Sequence, residues 1–125
     1  MLVVDVLKLL ETRLDLAAAR QACAAANLAN AETPGYRRFE AVLREAEGRL
    51  PLASTHPAHL PGKGGGETVA VIKDMRGPWR VDGNNVDVDA ELAGIVRNQV
   101  LYSALTRAVS QRLALARLAA TEGRR

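Results

Sequence analysis

The stretch NLANAETPGYRR, from Asn27 to Arg38, ends the first long apolar pattern of the chain and decides its fold. Thr33 precedes a proline and is therefore disfavoured in the α region. Pro34 and Gly35 suit the central positions of a type II turn, because proline presets φ and glycine accepts a positive φ. Asn27 can hydrogen-bond backbone groups that a helix leaves free at its end. Taken alone, the stretch predicts a helix stop.

The residues before this stop form one long helical pattern from about Val3 to Asn30. Apolar positions recur alternately every four and three residues, which is a heptad-like spacing. A helix of this length extends about 40 Å, too long for a small core to bury, and it needs a partner helix. The stripe includes Leu7, Leu10, Leu14 and Leu28.

A second long helix is predicted from about Asp87 to Ala120. Asp87 and Asp89 can cap its start, and Glu91 adds negative charge to its first turn. Two neighbouring apolar stripes are more than a two-helix hairpin needs. They indicate a bundle or polymer of helices, or a monomeric bundle that includes the middle segment. The stripes include Leu92, Ile95, Gln99, Tyr102, Leu105, Val109 and Leu113.

The middle of the chain has an irregular pattern. We expect a short helix from Phe39 to Arg49 and a loop rich in proline and glycine from Leu50 to Gly66. Glu67 to Lys73 is rich in Val and Ile, and Trp79 to Val81 is a candidate second strand. The sequence therefore predicts a small β-hairpin from Thr68 to Val81.

The predicted fold class is mainly α. Long N- and C-terminal helices pair as a coiled-coil-like bundle, and a small irregular middle segment contains a short β-hairpin. Residues 1–32 form the first axial helix, 33–86 the turn, loop and hairpin, and 87–125 the second axial helix with a basic tail. A chain of 125 residues suits one such structural unit.

Composition and motifs argue against catalysis. The chain is 48% hydrophobic and only 3% aromatic, which favours helices packed through small side chains. The lone Cys23 has the character of a small hydrophobe. His56 and His59 lack further ligands at metal-binding spacing, and Gly62 to Gly66 lacks the Ser or Thr of a phosphate loop. We expect no enzyme activity, no catalytic, metal or cofactor-binding residue, no cofactor and no small-molecule substrate.

The charge pattern leaves one alternative function, a small basic helical module that binds nucleic acid or an acidic protein. The net charge is only +3, and acids are interspersed with the bases. The arginines of the C-terminal helix are spread along it, so we expect no nucleic-acid partner. The first ten residues carry Asp5 and Lys8 and do not fit a cleavable signal peptide.

The opening stretch resembles the Asn-x-Ala-Asn-x-x-Thr-Pro-Gly-aromatic signature of the flagellar rod and hook axial proteins. Its matching positions are Asn27, Ala29, Asn30, Thr33, Pro34, Gly35 and Tyr36. A second stretch is similar to the Asp-Gly-Asn-Asn-Val-Asp element of proximal rod proteins in that family. Its positions are Asp82, Gly83, Asn84, Asn85, Val86 and Asp87. The short middle segment agrees with a proximal rod subunit, since distal rod and hook proteins carry large insertions there.

The resemblance implies a structural subunit of the bacterial flagellar basal-body rod that motility requires. Such subunits pass through the flagellar type III export apparatus to the periplasmic rod without cleavage of a signal peptide. They polymerise through their terminal helices, which transmit torque and form the export channel. The implied partners are further copies of the chain, other rod proteins, and membrane-ring and adapter proteins at the rod base. The stripe positions of both helices are the expected assembly residues.

Overall fold

In the computed structural model, the chain begins and ends with a long helix, and the two strands of a small sheet lie between the helices in the sequence. The elements are α1 (Leu2–Ala29), β1 (Phe39–Glu45), β2 (Glu67–Lys73) and α2 (Val88–Ala120). The structure describes residues 2–45, 67–76 and 80–121. The two terminal helices and the small antiparallel sheet confirm the mainly α prediction. The expected loop from Leu50 to Gly66, with His56 and His59, lies outside the described residues, as does Trp79.

The two helices lie antiparallel. α2 begins where expected, because Asp87 has an extended backbone and its carboxylate accepts from the Ala90 N–H at 3.1 Å. Asn27, near the end of α1, contacts Glu91 near the start of α2. Further along, the Asn98 side chain reaches back to the middle of α1. The pairing therefore places the end of α1 beside the start of α2.

The apolar core lies between α1 and the sheet. Its buried members are Leu16, Cys23 and Ala41, and Ala41 is fully buried. Phe39, Leu43 and Val69 are among the partly buried residues packed against it. Since β1 alternates, its odd-numbered positions face α1 and its even-numbered positions carry charges such as Glu40.

The predicted short helix over Phe39 to Arg49 is wrong in its described part, because Phe39–Glu45 is a strand. The charged residues and the leucine of this stretch favour a helix, but in so short a segment tertiary contacts override the intrinsic propensity. Ala41 lies opposite Val71 in the antiparallel ladder, and its side chain packs on α1. A helix here could not place every second residue on that surface.

The predicted hairpin from Thr68 to Val81 is also wrong. Glu67–Lys73 is a strand as expected, but it pairs with β1 and not with the residues that follow it. The ladder extends past β2, where the Asp74 N–H donates to the Arg38 carbonyl at 2.9 Å. Arg80 instead enters a separate turn, in which the Gly83 N–H donates to its carbonyl at 3.0 Å.

Candidate functional site

The first turn has the predicted type II geometry. Gly35 has a φ of +72°, and the Tyr36 N–H donates to the Thr33 carbonyl at 3.3 Å. The ring of Tyr36 then meets the ring of Phe39 edge to face, with centroids 6.0 Å apart. The turn therefore redirects the chain from the end of α1 into β1.

The second turn lies directly against the first. Gly83 also has a positive φ, +84°, and the Asn84 N–H donates to the Asp82 carboxylate at 3.1 Å. The Gly35 N–H donates to the Asp82 carbonyl at 2.8 Å. A Cβ added to Gly83 would lie 3.5 Å from the Gly35 Cα. The two sequence motifs, almost fifty positions apart, thus meet glycine to glycine.

Asn84 binds the turn that follows α1. Its side chain is 0% exposed, and its Nδ2 donates to the carbonyls of Asn30, Ala31 and Thr33 at 2.9–3.0 Å. Its Oδ1 accepts from the Val86 N–H at 2.7 Å. These three carbonyls belong to the turn that follows α1, so Asn84 holds this turn in place from a distant segment of the chain.

Asn27 occupies the centre of this region and uses its full hydrogen-bonding capacity. Its Oδ1 accepts from the Phe39 N–H at 2.8 Å and the Tyr36 hydroxyl at 3.3 Å. Its Nδ2 donates to the Phe39 carbonyl at 2.9 Å and to Glu91 Oε1 at 3.2 Å. One side chain therefore ties α1, the start of β1 and the first turns of α2 together.

Charged groups complete the connection. Arg38 Nε lies 3.0 Å from Glu91 Oε1, and its Nη1 lies 3.4 Å from Asp74 Oδ2. The Arg38 N–H also donates to Asn85 Oδ1 at 2.7 Å. Glu91 and Asp74 are buried, so each needs the arginine as a partner. We call Asn27, Arg38, Asn84, Asn85 and Glu91 the motif junction.

Arg76 controls the ionisation of Asp74. Its guanidinium and its backbone N–H both donate to the Asp74 carboxylate, at 2.7–3.1 Å. These hydrogen bonds hold the pKa of Asp74 well below its usual range and raise the pKa of Arg76. The carboxylate at the end of β2 therefore stays charged across the physiological range.

The remaining motif positions are at the surface or support the two turns. Ala29, Thr33 and Pro34 are exposed, whereas Val86 is buried. The Thr33 hydroxyl donates to Asn30 Oδ1 at 3.2 Å. The sequence gave no signal for Arg38, Asp74 and Glu91 as one cluster, because their positions converge only in the folded chain.

The expected assembly positions divide into two classes. Those on α1, namely Leu7, Leu10, Leu14 and Leu28, are half-buried, and so are Ile95, Leu105 and Val109 on α2. The others, Leu92, Gln99, Tyr102 and Leu113, are exposed. α2 also exposes apolar residues outside this set. These are Val88, Val96, Val100, Leu101, Leu115 and Leu118.

The described residues offer little for catalysis. Cys23 is buried, and desolvation followed by the nearby Glu91 raises the pKa of its thiol, which disfavours the nucleophilic thiolate. No three possible ligands in residues 2–45, 67–76 and 80–121 gather as a metal site would require. In the same ranges, no helix has the length and apolar character to span a membrane.

Basic side chains do not gather on one face of α2. Its arginines are ten, five and five residues apart, so at about 100° per residue they point in four directions. They are Arg97, Arg107, Arg112 and Arg117. Nothing in this arrangement favours a nucleic-acid surface.

Comparison with known proteins gives one consistent result. Residues 7–37 match the family described as flagella basal body rod protein. The flagellar basal body rod protein FlgB of Bacillus subtilis is 30% identical over 100 residues, or 77% of this chain and 78% of the relative. FlgB of Borrelia hermsii is 33% identical over 106 residues, covering 74% and 78%. FlgB of Escherichia coli is 32% identical over 117 residues, covering 83% and 84%.

Proposed function

Because this chain belongs to the FlgB family of flagellar basal body rod proteins, we propose that it builds the proximal rod through its two long helices. Membership makes the chain a structural subunit of the rod and not an enzyme. In the proposed assembly, α1 and α2 stay paired within each subunit, and their outer faces contact neighbouring subunits.

The motif junction supports this proposal most directly. It fixes the antiparallel pairing of α1 and α2 with buried asparagines and a partly buried ion pair, within one chain. A network of this kind specifies one geometry, since any other arrangement leaves buried polar groups without partners. A rod needs identical subunits, and a junction that sets the helix pairing provides them.

The exposed apolar residues of α2 support the second half of the proposal. Val96, Val100 and Leu115 are each more than half exposed on a helix of 33 residues. An extended row of exposed apolar side chains marks an interaction surface. The expected contact residues remain the stripe positions of both helices, together with this outward face.

Family membership supports the finer assignments that we propose. The subunit contacts other copies of itself, other rod proteins, and the membrane-ring and adapter proteins at the rod base. It reaches the periplasmic rod through the flagellar type III export apparatus. The assembled helices transmit torque and surround the export channel.

Deletion of the gene in its host tests the proposal, with the intact gene on a plasmid as the control. We expect loss of swimming, with basal bodies that stop at the membrane ring in electron micrographs. The plasmid copy should restore both swimming and complete rods. Complete rods in the deletion strain, with no second related gene present, would overturn the assignment.

A further inference from the structure

β2 forms an uncovered edge of the sheet. The Asp74 N–H donates to the Arg38 carbonyl at 2.9 Å, which makes these opposite residues a hydrogen-bonded pair. Hydrogen-bonded and non-hydrogen-bonded pairs alternate along an antiparallel ladder, so the odd-numbered residues of β2 turn their N–H and carbonyl groups away from β1. Within the described ranges, β2 pairs with β1 alone, and no other backbone group binds these outward groups. The outward residues are Glu67, Val69, Val71 and Lys73.

The outer edge of β1, in contrast, is covered by side chains of α1. Asn27 binds both the N–H and the carbonyl of Phe39, at 2.8 and 2.9 Å, and Arg20 Nε donates to the Ala41 carbonyl at 3.3 Å. Phe39 and Ala41 are odd-numbered, as the alternation requires. α2 packs against α1 and, in the described ranges, not against β2. The edge of β2 therefore offers a row of donors and acceptors that fits another extended strand.

The sequence of β2 is complementary to a second copy of itself. When Ala70 lies opposite Ala70 of a second, antiparallel copy, Glu67 lies opposite Lys73 and Val69 lies opposite Val71. All of these opposite positions are outward residues, so the register that pairs the opposite charges also brings the backbone groups together. A shift by one residue would set outward groups against inward ones, and a shift by two would separate both charge pairs. A parallel copy in register would place like charges side by side.

The charges of β2 do not protect this edge against a second copy. Proteins commonly block an edge strand with charged residues, because a like charge on the neighbour repels. β2 carries one acid and one base at equal distances from Ala70, so a second copy meets opposite charges at both ends. Val71 lies between them and is 57% exposed, on the face of the sheet that packs against α1. Pairing sets Val69 of the second copy beside it and covers part of this apolar surface.

We propose that two copies of the free chain pair through β2, antiparallel and about a two-fold axis at Ala70. The contact joins their two-stranded sheets into one sheet of four strands. Each α1 stays over its own strands, so the two copies of α1 lie two strand spacings apart, about 10 Å, and do not collide. The second copy is the partner because its charges and its backbone groups match the edge in the same register.

This pairing goes beyond the proposed function and does not belong to the rod. A two-fold contact uses the same surface of both chains, closes at two chains and points their α1 helices in opposite directions. Subunits added head to tail share one direction. The pair therefore forms before assembly and separates when a subunit joins the rod. Its strength sets how much of the free chain is available for growth.

Cysteine cross-linking of the purified full chain tests the register. The buried native thiol is removed by Cys23→Ala, and Ala70→Cys then places a thiol opposite its own copy, in a non-hydrogen-bonded pair. The Cα atoms of such a pair lie about 4.5 Å apart, which is within the range of a disulfide. Mild oxidation should therefore convert most of the chain into a covalent dimer.

Thr68→Cys in the same background is the matched control, on the same face of the strand. Its two copies lie about 14 Å apart along the paired strands, so it should give no dimer. A mixture of Thr68→Cys and Ile72→Cys chains should cross-link, because these positions are opposite each other in the proposed register. Circular dichroism checks that all three variants fold alike.

Charge reversal tests the affinity of the chain with its native cysteine, measured by sedimentation equilibrium. Lys73→Glu places like charges opposite each other at both ends of the contact, and Glu67→Lys does the same. We expect each to raise the Kd of the dimer at least about tenfold. The double variant Glu67→Lys with Lys73→Glu should restore the wild-type Kd, because it only reverses the direction of both pairs. A loss of stability within one chain would not be rescued in this way.

Three results would overturn the pairing. They are a monomer at every concentration tested, equal cross-linking of Thr68→Cys and Ala70→Cys, and a double variant as weak as the single ones. A monomer in which Ala70→Cys resists oxidation would mean that residues 46–66 or another part of the same chain covers the edge. The gene deletion tests the proposed function separately, and none of these results changes its outcome.

Discussion

The two ends of the helix pair are held together in different ways. Where α1 ends and α2 begins, Asn27 and Asn84 are fully buried and hydrogen-bonded to backbone groups of other segments. At the opposite end, Leu9 is 49% exposed and Leu115 59% exposed. The described side chains of that end make hydrogen bonds only within their own helix. Thr12 donates to a carbonyl of α1, and Thr106 and Ser110 donate to carbonyls of α2.

This difference separates two tasks. The motif junction satisfies its own polar groups, so it can fix the helix pairing before any neighbour arrives. The opposite end and the outer face of α2 keep apolar surface uncovered, and covering it with other subunits is stabilising. We therefore expect the junction to govern the stability of one chain and the exposed apolar faces of the helices to govern assembly. In a dilute monomer, both helix ends should be partly disordered, which amide NMR dispersion can check.

A charge on the helices should have the largest effect. Leu14→Asp buries a carboxylate in helix contacts and should abolish rods and swimming, while export of the chain survives. Because Leu14 is half-buried in its own chain, the variant should also lose about 2 kcal/mol of unfolding free energy. Urea unfolding, secretion and swimming assays measure the three outcomes.

Val100→Asp is the matched control on the same pair of helices. Val100 is 68% exposed, so the substitution should change the free energy of unfolding of the chain by less than about 0.5 kcal/mol. Swimming should nevertheless be lost if the outer face is an assembly surface. Intact rods that contain the Leu14→Asp chain would contradict the division between junction and assembly surface.

Asn27→Ala should destabilise the single chain most among changes in the junction. It leaves the Phe39 N–H and carbonyl and the Glu91 carboxylate short of partners in a buried position. We expect a loss of about 3 kcal/mol in urea unfolding followed by circular dichroism. Asn30→Ala is the control, because the Asn30 Nδ2 makes an exposed bond to its own helix.

The control should cost about 0.5–1 kcal/mol. Equal losses of unfolding free energy for Asn27→Ala and Asn30→Ala would mean that the junction does not stabilise the fold more than an exposed hydrogen bond does. A third variant, Asn84→Ala, should resemble Asn27→Ala, since it removes three hydrogen bonds to the turn that follows α1.

Gly35→Val should have a smaller effect on the turn. The φ of +72° disfavours any L side chain, and a β-branched one more than most, so we expect a loss of about 2 kcal/mol. Nothing lies within 4 Å of a Cβ added there, so the cost is conformational and not steric. Gly94→Ala, in the second turn of α2 and equally unobstructed, should instead stabilise the chain. Normal swimming with Gly35→Val would argue against an essential turn.

The sequence predicted the parts of the fold that rest on local chemistry. The helix stop at Pro34, the positive φ of Gly35 and the cap at Asp87 each follow from one residue type in one conformation. The long terminal helices follow from apolar periodicity that extends over many turns. These features were predictable because a few neighbouring residues determine them.

The parts that depend on distant contacts were not predictable in the same way. β1 is a strand because Ala41 packs on α1 and Asn27 binds the backbone of Phe39. The partner of β2 was predicted wrongly, because β1 and β2 are separated by a long stretch of sequence and local patterns do not encode such a pairing. Glu91 was read as a first-turn acid, and its contact with Arg38 depends on the helix pairing. The family motifs marked the right segments without indicating that they touch.

Acid should produce the smallest effect, and only at the junction end. The pKa of Asp74 is held below its ordinary value of about 3.9 by the hydrogen bonds from Arg76. The unfolded chain therefore binds this proton at a higher pH than the native chain. The stabilisation by Asp74 is complete above about pH 5 and is lost as the pH falls below about 4. Because Arg76 is 71% exposed, solvent screening limits the effect to about 1 kcal/mol.

Asp74→Asn removes this dependence. It should lower the free energy of unfolding at pH 7 and flatten the decline between pH 5 and pH 3 relative to the wild type. In the wild type, hydrogen exchange should report faster opening of β1 and β2 at pH 3 than at pH 7. The exchange of the outer ends of α1 and α2 should stay unchanged. Glu67→Gln is the control, because Glu67 forms an exposed pair with Arg13 at 3.5 Å. An identical acid response in both variants would show that Asp74 is not the source of the pH dependence, because a carboxylate held by Arg76 must respond more than one at the surface.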